Sequence, residues 1–374
     1  MIAVRDLVGD STNVYHHSDV VKIKAYGEYW CIPVVIETPD QAFYPCRRVG
    51  QGGNGIVLEY SNEFGSFAVK VTEPGCEPKS TDVWLQDLTT PHRKSLKRYI
   101  IEQKPLGRFR TFRFVAMELL DSEFTSFRAL LLTKPSDFTL PSRAVRFDAL
   151  YKICIALRGL SKAKLGYLDL KLSNIMCNVR LSFAGKIVVK EVKLIDIDGL
   201  RTFSKATEAS TYPPIECWPL DGAPDDYPCP TETPCNTRSC AWSLGVFVLF
   251  WLLPTMDRIS AFAYEHLDVS GRWVQPPEHA DPTLAKSLLL HAQGLMVEIF
   301  PNATASELGV LQAIFDPDND PRLRSPGSSP VCRPEIDVVL RVLMKYLQRM
   351  KHLSYLPRCW FVFKRSNKAE YIKL

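Results

Sequence analysis

Up to Leu120 the apolar residues gather in short runs rich in β-branched and aromatic side chains. Residues 20–24 and 29–36 are two such runs, closed by the turn signal Pro39-Asp40. Phe67-Ala68-Val69-Lys70-Val71 and the run Phe114-Val115-Ala116-Met117 that leads to Glu118, Leu119 and Leu120 also read as strands. Between them Val83, Trp84, Leu85 and Leu88 have helical spacing, which predicts a short helix over 81–88 that stops at Pro91-His92. Beyond Leu120 the rhythm becomes helical. Val145, Leu150, Ile153, Cys154, Leu157 and Leu160 fall on one face of a helix from Arg143 to Lys162, with Pro141-Ser142 as its start. A hairpin follows, with strands at 176–181 and 186–195 and a turn at Ala184-Gly185. The longest apolar run, 244–253, falls short of the about 20 residues that cross a bilayer and predicts a buried core helix. Residues 218–239, rich in proline, threonine and aspartate, read as a surface loop, 338–350 as an amphipathic last helix, and 359–374 as alternating apolar and basic.

Composition narrows the class. At 374 residues and 46% hydrophobic content the chain can bury a large core. Its net charge of +5 comes from mixed, scattered charges, so nothing resembles the basic stripe that neutralises a run of phosphates, and neither nucleic acid nor membrane is an expected partner. Eleven cysteines and a start, Met1-Ile2-Ala3-Val4-Arg5-Asp6, without the pattern of a secretory leader point to reduced thiols in cytoplasm or nucleus. Cys229, Cys235 and Cys240 lack the Cys-x-x-Cys pairing of a zinc site and read as unpaired thiols.

The candidate chemistry sits in four stretches. Val49-Gly50-Gln51-Gly52-Gly53-Asn54-Gly55-Ile56-Val57 is a glycine-rich hairpin whose backbone N–H groups can approach phosphate oxygens. A strand follows it rather than a helix, which argues against a dinucleotide fold. Lys70 lies fifteen residues beyond Gly55, one strand, a turn and a second strand away. Tyr167-Leu168-Asp169-Leu170-Lys171-Leu172-Ser173-Asn174 places a carboxylate, an ammonium and an amide within one irregular turn. Leu194-Ile195-Asp196-Ile197-Asp198-Gly199 ends a strand in a carboxylate suited to a hard cation.

These stretches, in this order, resemble the eukaryotic protein kinases of serine/threonine type. Three further matches are structural: Tyr212-Pro213-Pro214-Ile215-Glu216, Ala241-Trp242-Ser243-Leu244-Gly245-Val246 and Asp320-Pro321-Arg322-Leu323-Arg324. The resemblance implies an α+β fold of two lobes, the smaller β-rich and the larger helical, with ATP in the cleft. Expected bounds are a β-rich extension over 1–45, lobes over 46–118 and 119–350, and a tail over 351–374. It further implies that Val49, Gly50, Gly52, Gly55, Val57 and Lys70 bind ATP, with Met117 as gatekeeper and the backbone of Glu118 to Leu120 facing adenine. Asn174 and Asp196 would hold Mg²⁺, Asp198 being the competing acid; Asp169 would orient a protein hydroxyl and Lys171 stabilise transferred charge. Glu216 would pair with Arg324.

The departures are as informative. Tyr167 and Leu168 stand where the family has histidine and arginine, which makes control by activation-segment phosphorylation doubtful. Cys240 replaces an aspartate that anchors the catalytic loop, and only Asp82, or secondarily Asp87, is placed to replace the helix glutamate that holds the lysine. Chemistry kept while regulatory positions are lost resembles kinases encoded by large DNA viruses, so an infected host cell is a further expected setting. The alternative is a pseudokinase serving as a nucleotide-binding or interaction scaffold. A small-molecule kinase fits less well, since those families usually lack the Pro-Ile-Glu and Trp-Ser-Leu-Gly features.

Overall fold

In a computed structural model the chain is described over residues 20–25, 27–33, 35–37, 41–51, 55–72, 79–109, 111–132, 143–181, 187–203, 207–208, 214, 233–253, 281–324, 327 and 331–354. The α+β class and its division into a β-rich and a helical lobe are as expected. The β-rich lobe begins with a hairpin, β1 (Val20–Ala25) and β2 (Glu28–Pro33). A six-stranded antiparallel sheet follows, built from β3 (Ile36–Glu37), β4 (Ala42–Gln51), β5 (Gly55–Asn62), β6 (Gly65–Thr72), β7 (Gln103–Phe109) and β8 (Phe112–Met117) in the order β3-β4-β5-β6-β8-β7. Strand β4 runs straight through the boundary expected at 45/46.

Side chains alternate across a sheet, and that alternation sorts this one into two faces. Phe67, Val69 and Val71 of β6 join Ile56, Leu58 and Tyr60 of β5 and Phe114 and Ala116 of β8 in one apolar cluster. The first hairpin lids that cluster with Trp30 and Ile32, Trp30 stacking on Phe112 at 4.7 Å between ring centroids. Trp30, Ile32, Ile36 and Phe43 are thus packed on the sheet rather than set apart from it. The intervening residues Ala68, Val115 and Met117 face the other way, toward the helical lobe. Lys70, pairing with Val57 and Val115 in register, has that same parity.

The segment between β6 and β7 differs from expectation. Helix α1 covers only Thr81–Trp84, and Pro91 opens rather than stops a helix, α2 (Thr90–Lys97). In a first helical turn the N–H that proline lacks has no acceptor anyway, so proline is favoured there.

Helix α3 (Phe127–Leu132) leads toward α4 (Arg143–Lys162), which has the predicted limits described and buries Phe147, Leu150, Ile153, Cys154, Leu157 and Leu160. The start predicted at Pro141-Ser142 lies outside the described residues. The short strands β9 (Phe124–Ser126) and β10 (Leu165–Tyr167) frame the hairpin β11 (Ile175–Leu181) and β12 (Ile187–Leu194), whose turn also lies outside them. Strand β13 (Leu200–Thr202) pairs with β10. Helix α5 (Thr237–Leu252) is almost wholly buried, so the expected loop ends earlier than residue 239, where Asn236 caps the helix by accepting from the N–H groups of Arg238 and Ser239. Helices α6 (Pro282–Ile299), α7 (Ala305–Gln312) and α8 (Ile336–Ser354) complete the lobe, α8 passing the expected end at 350. No helix among the described residues is long and apolar enough to cross a membrane.

Candidate active site

Strand β6 delivers Lys70 to the cleft between the lobes. Its Nζ lies 2.5 Å from Asp196 Oδ1 and 2.9 Å from Asp198 Oδ2. Burial alone would push the ammonium to lose its proton, but the two carboxylates win and raise its pKa well above the lysine range. Asp196 follows β12 in the left-handed region, φ 56° and ψ 49°, and opens a 3₁₀ turn at Ile197–Gly199 in which Ile197 is buried. An aspartate tolerates that backbone better than most side chains. This is how two acids two residues apart both reach one amine.

The loop after β10 carries the second group. Asn174 is buried, and its Nδ2 donates to Asp169 Oδ2 at 2.6 Å and to the Asp169 carbonyl at 3.1 Å. Lys171 Nζ lies 2.9 Å from each Asp169 carboxylate oxygen. With the Asn174 amide nitrogen so engaged, its Oδ1 is the atom left to serve a cation. The Ile195 N–H donates to the Asn174 carbonyl at 2.9 Å, and the Tyr167 hydroxyl donates to the Ile195 carbonyl at 2.7 Å, so the two loops are joined through main chain. Tyr167 thereby ties the two loops together. Burial keeps its hydroxyl protonated, the nearby aspartates adding to the effect. Leu168 is buried.

Beneath this loop Gly166 meets two thiols. A Cβ there would lie 2.6 Å from Cys235 Sγ and 2.8 Å from Cys240 Sγ. Both cysteines are buried, whereas Cys229 lies outside the described residues. Cys240 hydrogen-bonds Cys235 and accepts the backbone N–H of Tyr167; the bond to Cys235, then burial, raise its pKa. Cys240 therefore places an acceptor under the loop.

The nucleotide residues are partly gathered. Val57 stands beside Lys70 across the β5–β6 ladder and packs toward the main core. Val49 is exposed, and the space beyond Gly50 is open. Gly52 lies outside the described residues. At Gly55 a Cβ would stand 2.4 Å from the Val71 carbonyl oxygen, so close strand approach itself demands glycine there. Met117 is buried at the end of β8. The Glu118 N–H donates to the Glu102 carbonyl at 3.0 Å and its carboxylate pairs with Lys193, which leaves its carbonyl and the backbone to Leu120 as the candidates to face adenine.

The helix acid is not where the sequence placed it. Asp82 pairs with Lys97 at 2.8 Å, and Asp87 is exposed in the turn beyond α1. Asp198 reaches Lys70 instead, and its Oδ1 accepts from Gln103 Nε2 at 2.9 Å. Nothing in the sequence singled out Gln103, whose only signal is an amide beside an apolar strand. Glu216 lies outside the described residues; Arg324 donates to the Asp318 carbonyl at 3.4 Å. The buried Asp320 holds Arg322 at 2.6 Å.

No protein-family model matches the chain, and no curated protein matches it. Among solved structures, vaccinia related kinase 3 superposes with a TM-score of 0.46 and 15% identity, over 86% of this chain and 92% of that one. A likeness of that size decides neither fold nor reaction.

Proposed function

We propose that the chain is an ATP-dependent protein kinase that transfers the γ-phosphate to serine or threonine hydroxyls of a protein substrate. The observation that carries the reading is the gathering of Lys70, Asp169, Lys171, Asn174 and Asp196, from three separate stretches of chain, into one cleft joined by hydrogen bonds.

The donor set fits a hard cation and a polyphosphate. Asp196 and the Asn174 amide oxygen offer a partial shell of hard oxygens that phosphate oxygens and water would complete, since among the described residues no group of three acidic, histidine or cysteine side chains could hold a metal ion unaided. Lys70 supplies the opposite charge. When bound, Mg²⁺·ATP supplies the electrophilic γ-phosphorus and the leaving group. Asp169 orients the acceptor hydroxyl and takes its proton as the new P–O bond forms and the bond to the β-phosphate oxygen breaks. Lys171, already paired with Asp169, is placed to neutralise charge on the moving phosphoryl group. A lysine two residues after the aspartate is what favours serine or threonine as acceptor.

The test is Mg²⁺-dependent transfer of labelled γ-phosphate to generic acidic and basic proteins, with Asp169→Asn beside wild type. Loss of about 10²–10⁴-fold in the variant is expected. A scaffold that binds nucleotide without transfer is the second reading, favoured by one observation: neither helix acid contacts Lys70. ATP binding by a well-folded wild type that transfers to no acceptor would establish that reading instead.

A further inference from the structure

Once Asp196 is committed to a cation, Lys70 needs another counter-charge to stay aimed into the cleft. Asp198 meets that need better than any other acid described. Its side chain is 18% exposed against 37% for Asp196, so it lies on the inner side of the shared amine. Both its oxygens are engaged, Oδ2 by Lys70 and Oδ1 by Gln103. Its carbonyl accepts from Arg201 Nη1, which fixes the turn from behind.

Gln103 is in turn held rigidly. It is 2% exposed, and its N–H donates to Thr81 Oγ1 at 2.9 Å while that hydroxyl donates to the Ile101 carbonyl at 3.0 Å. Its Nε2 also donates to the Lys79 carbonyl at 3.1 Å. Two acceptors, a carbonyl and a carboxylate, flank the same end of the amide, so the nitrogen must point there. A donor so placed can only hold a carboxylate oxygen in line, and that carboxylate holds the lysine.

We propose that Asp198, aimed by Gln103, is the positioning carboxylate for Lys70, doing from the loop after β12 what neither Asp82 nor Asp87 does from the helix region. The inference rests on the kinase reading above. It also makes Asp198 distinct in role from Asp196: one fixes the lysine and the other faces the cation.

The experiment is a double-mutant cycle on the affinity of the full chain for a fluorescent ATP analogue with Mg²⁺, with kcat and KM measured alongside. Asp198→Asn and Lys70→Met are each expected to weaken binding roughly 10-fold, about the size of one charge-assisted hydrogen bond. Because Asp198 acts through Lys70, the double variant should bind no worse than Lys70→Met alone. Gln103→Met, which keeps volume and removes the donor, should give a smaller loss that also disappears in the Lys70→Met background, and it serves if Asp198→Asn fails to fold. The Mg²⁺ concentration for half-maximal binding should rise in Asp196→Asn and stay unchanged in Asp198→Asn. Additive losses, no loss at Asp198, or a raised Mg²⁺ requirement in Asp198→Asn would overturn the inference alone. A folded wild type that binds no nucleotide would overturn it together with the kinase reading.

Discussion

Gly166→Ala should be one of the most damaging single-methyl additions in the chain. The added carbon would sit 2.6 Å from Cys235 Sγ, 2.8 Å from Cys240 Sγ and 3.0 Å from Phe203 Cε1. Comfortable contact between carbons begins at about 3.5 Å, so each sulfur must retreat by roughly 0.7–1 Å. Cys235 is fully buried, Cys240 is 7% exposed and tied to the Tyr167 N–H, so neither has room to retreat. Overpacking of this kind costs about 1–3 kcal/mol, more than the about 0.8 kcal/mol that burying one methyl could return. Urea denaturation should therefore show a lower midpoint with an unchanged slope. Cys235→Ala removes the nearer sulfur, and the double variant should recover about 1 kcal/mol relative to the sum of the single changes. If Gly166→Ala matches wild type within about 0.5 kcal/mol, or if the two changes simply add, the packing described under the loop is wrong.

Three further outcomes are expected. Tyr167→Phe leaves the Ile195 carbonyl without its donor and should cost about 1–3 kcal/mol in denaturation, with phosphate transfer falling more than stability because two site loops lose their link. Lys193→Met leaves Glu118, whose carboxyl burial already pushes up, without its counter-charge; a loss of about 2–4 kcal/mol at neutral pH, shrinking as the medium is acidified and Glu118 takes up a proton, is the expected denaturation result. Glu307 is held down to about 2, chiefly by its hydrogen bonds from Arg349, with the Thr304 N–H assisting against burial. Its folded pKa is below the unfolded one, so its contribution is full above about 4.5 and lost as pH falls toward 2. Denaturation midpoints of wild type and Glu307→Gln should converge across that interval, with a gap of about 1–2 kcal/mol above it after allowance for the solvent-facing Arg349. A gap that does not depend on pH would refute the assignment.

What the sequence disclosed and what it hid follow a physical line. The limits of α4 and the buried character of 244–253 were readable because a long element repeats its burial signal many times. The groups of the catalytic loop lie close enough in sequence to be seen together. The region 81–97 misled because proline carries opposite meanings at the start and the end of a helix. Gln103 was invisible because its partner is 95 residues away and nothing local distinguishes an aimed amide from a solvated one. That the Glu118 N–H is satisfied within the protein was not readable, because the Glu102 carbonyl that takes it comes from across the sheet. Asp198 was seen as an extra acid, yet its reach to Lys70 depends on the left-handed turn at Asp196, which no spacing displays.

That turn has a consequence for how the protein can be switched. Both carboxylates that grip Lys70 ride on one stretch of three residues, and the strand before it is bonded to the connector leading into β7, Ile101 N–H to the Leu194 carbonyl at 2.8 Å and Leu194 N–H to the Tyr99 carbonyl at 2.7 Å. A displacement that withdraws one acid withdraws both and breaks the Gln103 contact with them. Such coupling disfavours intermediate settings and would divide the molecules between an assembled and a disassembled cleft. An effector must then bind one population about 10⁴-fold more tightly than the other to turn it from almost wholly off to almost wholly on. A regulator that displaced this acidic turn would release Lys70 from both acids at once.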